Sequence, residues 1–231
     1  MRTLAAWSLS LVLLAPIAPA AATARYYIAF LRPAPDRTPL APADAERIQA
    51  AHMANIEDMG KRGILVAAGP FEDKPPTISG IFVFALKSRE EAQRIAESDP
   101  TVVAHRNVID VVTWDGPAGI GAEYIRLHAG HPEMPEGMGV QPFFMLYAAD
   151  TPASVHVPDS ETTYLNGLRV AGHVAAWGSA SGRPGLVAIV VFNRLTDDEA
   201  QRLMAADPAV ASGSTRAEFH RWWCAAHVLP E

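Results

Sequence analysis

One cysteine, Cys224, stands in 231 residues. That excludes an internal disulfide framework and any paired-cysteine metal motif, so stability has to come from the core. Clusters of basic residues are missing as well, and Lys+Arg 19 against Asp+Glu 25 leaves a net charge of −6. A protein that grips nucleic acid by its phosphates needs a basic footprint, so nucleic acid is not an expected partner. Beyond the first two dozen residues no apolar run approaches the ~20 residues of a membrane helix. Gly119-Ile120-Gly121 lacks the further glycines and the strand-to-helix setting of a phosphate-cradling loop. Gly178-Ser179-Ala180-Ser181-Gly182 carries alanine where a hydrolase elbow needs its serine.

What is present begins with Met1-Arg2, followed by an apolar and small-residue run from Leu4 to Ala22 and the sequence Ala22-Thr23-Ala24. A positive start, an apolar centre and an A-x-A site predict a signal peptide over residues 1–24, cleaved before Arg25. Losing it removes Arg2 and takes the net charge from −6 to −7. The expected product is soluble and exported, to a periplasmic or extracellular location, with no membrane attachment after cleavage.

The chain also repeats itself. Glu91-Ala92-Gln93-Arg94 with Asp99-Pro100 recurs 108 residues later as Glu199-Ala200-Gln201-Arg202 with Asp207-Pro208. Phe84 and Phe192, Val102 and Val210, and Trp114 and Trp222 keep the same shift, and Gly63 meets Gly172 with one residue of slippage. Ser88 with Glu91 and Thr196 with Glu199 are two copies of one helix-start signal, the capping box. A domain-sized period predicts a tandem duplication.

Within the first copy the pattern reads as strand 25–31, helix 43–62, strands 64–68 and 81–86, helix 88–98 and strand 108–114. The second reads as strand 142–148, helix 160–170, strands 174–177 and 186–192, helix 196–206 and strand 217–223. This order predicts an α+β chain of two tandem ferredoxin-like (βαββαβ) domains, residues 25–115 and 142–231. Residues 116–141, rich in Gly, Pro and Met and without periodicity, read as a linker. The two sheets are expected to pack face to face as an intramolecular pseudo-dimeric α+β barrel around an apolar cavity.

From Arg25 to Trp114 the chain resembles the YCII-related (YciI-like) family. The resemblance rests on His52, Gly63, the Ala68-Gly69-Pro70 turn with Asp73 beyond it, Gly80, Glu90-Glu91-Ala92 and Asp99-Pro100. The second copy keeps Gly172, Gly178, Asp207 and Pro208, but Glu161 stands in the histidine position and Gly178-Ser179 replaces Gly-Pro. The resemblance implies a small dimeric α+β barrel and a His/Asp pair, with one competent pocket in the first copy and a degenerate second copy. Some relatives are lyases that remove chloride from chlorinated hydroxyquinol-type aromatics, which implies acid-base chemistry on a small, ring-like molecule.

His52 is spaced with Ile48, Ile56 and Met59, which turns its ring toward the core side of the helix, at the edge where the cavity would open. An imidazole with an ordinary pKa of ~6.5 takes a proton near neutral pH when a carboxylate orients it. The plainer alternative is a buried histidine satisfied by a backbone carbonyl. Asp99 is one candidate partner, although Asp-Pro after a helix is also an ordinary turn former. Asp73 is the other, placed in a loop that would reach His52, and its alternative is a solvated loop charge. His128, His131, Met134 and Met138 have ligand types that suit copper, but no motif spacing, so the linker reads as carrying incidental histidines. His156, His173, His220 and His227 have no motif around them, and Cys224 beside Trp222 and Trp223 reads as a buried, inert thiol. The catalytic candidates are thus His52, Asp73 and Asp99, with no cofactor and no metal. The expected activity is that of a cofactor-independent lyase or isomerase on a small hydrophobic molecule. The alternative is a non-catalytic small-molecule-binding or assembly module of the same fold.

Overall fold

The computed structural model describes residues 22–74, 77–130, 137–149 and 157–230. Its first half runs β1 (Thr23–Pro33), α1 (Pro42–Lys61), β2 (Leu65–Pro70), β3 (Gly80–Phe84), α2 (Arg89–Glu97), α3 (Pro100–Val103) and β4 (Asn107–Pro117). After α4 (Ala122–Gly130), the same order returns as β5 (Met138–Ala148), α5 (Asp159–Val170), β6 (Val174–Ser181), β7 (Leu186–Phe192), α6 (Asp197–Ala205), α7 (Pro208–Ala211) and β8 (Thr215–Ala225).

All eight strands belong to one antiparallel sheet, in the order β2-β3-β1-β4-β6-β7-β5-β8. The halves join where Thr113, Trp114 and Asp115 of β4 pair with Ser181, Ala180 and Ser179 of β6. At the far side the sheet curls until its end strands meet, through the Phe71↔Trp222 bridge and the Glu72 amide donating to the Arg221 carbonyl at 3.0 Å. Glycine permits both approaches: a Cβ on Gly69 would lie 1.7 Å from the Trp223 carbonyl oxygen, and one on Gly178 would lie 2.0 Å from that of Asp115.

Period-2 alternation divides the apolar residues between two faces. Tyr26, Ile28 and Phe30 of β1, with Phe143 and Met145 of β5, point into the barrel, where Trp114 and Trp222 join them. Tyr27, Ala29 and Leu31 point outward beneath Met59 of α1 and Ala92 and Ala96 of α2. Phe144 and Leu146 lie likewise beneath Leu165 of α5 and Met204 of α6. Fully burying a side chain of this size contributes about 1.5–3 kcal/mol. At one end of the barrel Arg183 ties the halves together, reaching Asp110 at 2.6 Å and the Tyr147 hydroxyl at 3.0 Å, with its guanidinium 4.6 Å from the centre of the Phe30 ring.

Three expectations change. The anticipated linker 116–141 contains the end of β4, α4 and the first four residues of β5. Its glycines and short apolar residues hide the helix from periodicity, and tertiary bonds hold it: Gly121 and Tyr124 amides donate to the Val228 and His227 carbonyls. Two face-to-face sheets become a single curled one. In place of a roomy apolar cavity, the barrel interior beside Ile28, Trp114, Phe143 and Trp222 is filled by side chains and leaves a void of about 10 Å³.

Candidate active site

Asp99 closes α2 and opens α3. Pro100 occupies the first turn, where its missing amide costs nothing. The Asp99 side chain then caps the helix by accepting from the Thr101 amide at 2.9 Å and the Thr101 hydroxyl at 2.6 Å. Its other oxygen turns to α1. His52 and Asn55 lie three residues apart on one helical face, and both reach that oxygen: His52 Nδ1 at 2.8 Å and Asn55 Nδ2 at 2.9 Å. His52 Nδ1 is also 3.0 Å from the first oxygen. The support continues outward, since Asn107 donates to the Thr101 hydroxyl at 3.0 Å and Ser79 donates to Asn107 at 2.9 Å.

Asp99 is fully buried. Burial alone would raise its pKa, but hydrogen bonds from His52, Thr101 and Asn55, with the charge of His52, hold it below the ordinary carboxylate range. The group is therefore an anion at neutral pH, and it fixes the His52 proton on Nδ1. Among the described residues the hydrogen bonds of the ring engage Nδ1 only, so in the neutral ring Nε2 is the nitrogen that carries the lone pair; the side chain is 15% exposed. Phe82 supports the ring with centroids 5.7 Å apart. Phe82 points to the helix-covered face of the sheet. The dyad accordingly sits outside the barrel, on the opposite side of the sheet from the expected cavity.

Asp73 does not join it. Its carboxylate lies 2.8 Å from Nδ1 of His220 and accepts from the Thr77 hydroxyl at 3.0 Å. His220 Nε2 lies 3.1 Å from Glu218, and the ring is flanked by Phe71 and Phe143. With a carboxylate beside each nitrogen, the ring is held at both ends and offers neither nitrogen to a substrate. Sequence reasoning passed over His220 because its partner comes from the other half of the chain. Asn55 and Thr101 were missed too, although an amide three residues after a helical histidine was a readable signal.

Among the described residues the second half carries no such dyad. Glu161 of α5 stands in the place of His52 and Asp207 in that of Asp99, and both are fully buried. Asp207 caps α7 by accepting from the Ala209 and Val210 amides at 2.8 and 3.2 Å. Elsewhere, His128 Nδ1 donates to the Tyr124 carbonyl, 2.9 Å away, and Met138 is exposed on β5. His131 and Met134 lie outside the described residues. No cluster of three metal-binding side chains occurs among the described residues. Burial pushes the Cys224 thiol up to about 12, which makes it inert at neutral pH.

Residues 26–115, from β1 through β4, match the family model of the YCII-related domain. This segment is similar to the YCII-related domain. It contains His52, Asn55, Asp73 and Asp99, and the remainder of the chain lies outside the match. A solved structure from Lactobacillus acidophilus NCFM, described as a "putative monooxygenase", is 12% identical over 86% of this chain and 92% of that chain, with a TM-score of 0.43. No curated protein matches.

Proposed function

We propose that the YCII-like segment uses His52 as a general acid-base on a small, ring-like hydrophobic molecule, in a lyase or isomerase reaction that needs no cofactor. The observation that carries this reading is the buried Asp99 carboxylate with four hydrogen-bond donors around it. Such an anion holds the imidazole in one tautomer and steadies the imidazolium after proton uptake, the role an orienting carboxylate plays beside a catalytic base. Substrate would meet the partly exposed ring from the helix side, with Phe82 behind it.

The chain is further read as an exported protein after loss of residues 1–24, and as two tandem ferredoxin-like domains forming a pseudo-dimer. Matching contacts support the duplication. Trp114↔Ala180 on one seam corresponds to Phe71↔Trp222 on the other, and the Gly178–Asp115 approach corresponds to Gly69–Trp223.

The alternative, a non-catalytic small-molecule-binding or assembly module, draws on the filled interior. A screen of small cyclic acids and phenols against wild type, H52Q and D99N separates the two. Turnover that falls by ~100-fold or more in H52Q fits a general acid-base. Turnover unchanged in H52Q overturns the dyad, and ligand binding without turnover leaves the binding module.

A further inference from the structure

We propose that Glu161 and Asp207 hold one proton between them, so that the second half of the barrel contains a buried proton-binding site joining α5 to α7. Each carboxyl has one satisfied oxygen: Glu161 Oε2 accepts from the Thr215 hydroxyl at 3.2 Å, and Asp207 Oδ1 accepts from two helix amides. Each also has one oxygen, Glu161 Oε1 and Asp207 Oδ2, that is buried without a partner among the described residues. α5 packs on α7, as α1 packs on α3 around His52 and Asp99. Two ionised carboxylates in that space would repel and leave two buried acceptors unpaired, each costly to bury. A single shared proton satisfies both.

The surroundings offer no competing charge. β6 and α7 carry no ionisable side chain apart from the cap itself, and β8 contributes Thr215. Arg216, next along β8, is exposed and engaged with Glu218 and the Tyr147 ring, while Arg169 of α5 is half-buried and Arg202 of α6 is exposed. Tyr164 of α5 feels Asp207 but donates its hydroxyl to the Leu203 carbonyl at 2.8 Å. Burial first, and then the charge of Asp207, push Glu161 up to about 7, with the Thr215 bond opposing; burial raises Asp207 too. A cation is the less economical occupant, because no third acidic, histidine or cysteine ligand joins the pair among the described residues.

The folded chain therefore holds this proton more tightly than the unfolded chain. Its contribution is complete below the ordinary glutamate range and fades as pH rises through about 7. The test is isotope-edited infrared spectroscopy of the full chain, with denaturant unfolding at pH 5 and pH 8, on wild type and E161Q. The expected result is a protonated-carboxyl band at pH 6 that is lost by pH 8 and absent from E161Q. The folded-to-unfolded ratio of wild type should fall on the order of a hundredfold more than that of E161Q between the two pH values. Absence of the band at pH 6, equal pH dependence in the two proteins, or stabilisation at pH 8 by added calcium overturns the proposal. Should E161Q fail to fold, D207N serves for the unfolding comparison and the wild-type band alone remains decisive.

Discussion

His220 and Asp73 stand 147 residues apart in sequence, yet Nδ1 of one lies 2.8 Å from the carboxylate of the other. The pair closes the barrel where β2 approaches β8. His220 is almost fully buried, and Glu218 takes its second nitrogen. Removing Asp73 leaves the buried Nδ1 of His220 without its acceptor. D73A should lower unfolding free energy by about 1–3 kcal/mol, measured by urea titration. Any loss of activity in D73A should follow its loss of stability, because Asp73 does not touch His52.

Asp99 gives a different expectation. The neutral His52 ring should carry its proton on Nδ1, read from imidazole nitrogen shifts in NMR. D99A should abolish that tautomer preference, while D73A leaves it intact. Loss of the preference in D73A, or its persistence in D99A, would contradict the geometry.

The same carboxylate sets the acid side of stability. Its folded pKa is depressed, so its contribution is present above the ordinary carboxylate range and is lost as pH falls through the folded value. Acid unfolding followed by circular dichroism should be steeper for wild type than for D99N.

Glycine substitutions should separate the seams from the helices. A Cβ at Gly69 or Gly178 meets backbone carbonyl oxygens, which no rotamer change relieves, so G69A and G178A should each cost about 3 kcal/mol or more. Gly60 in α1 has open space around it, and G60A should stabilise by about 0.5–1 kcal/mol through helix propensity. Thermal melts of the three variants decide the matter.

Cys224 should react with a thiol reagent only as fast as the barrel opens, since its buried thiol is pushed up to about 12. Labelling under native conditions at a rate matching a free thiol would show that β8 is not held in place.

Elements were legible in the sequence where local chemistry decides them. Ser88 caps α2 by accepting from the Glu91 amide, as its spacing predicts, and Thr196 forms the complete capping box of α6. Even there a detail differs, for the Glu91 carboxylate reaches the Lys87 amide at 3.3 Å. Asp99-Pro100 showed its turn-forming side, and the structure adds that the same carboxylate both caps α3 and orients His52. Helical spacing placed His52 toward the sheet but carried no information on which sheet face lay beneath. Nothing local could assign Asp73 to His220, because that contact exists only once the two halves are joined.

The two junctions that complete the barrel are unequal. β4 and β6 share three paired positions, whereas the residues just after β2 meet β8 through one bridge, the Glu72–Arg221 backbone bond and side-chain ion pairs. Under mild heating or denaturant the weaker junction parts first, and the molecule becomes an open ribbon with two bare margins. Those margins and the newly wetted aromatic lining are templates for pairing with other chains, so storage stability depends on this one closure more than on the helices.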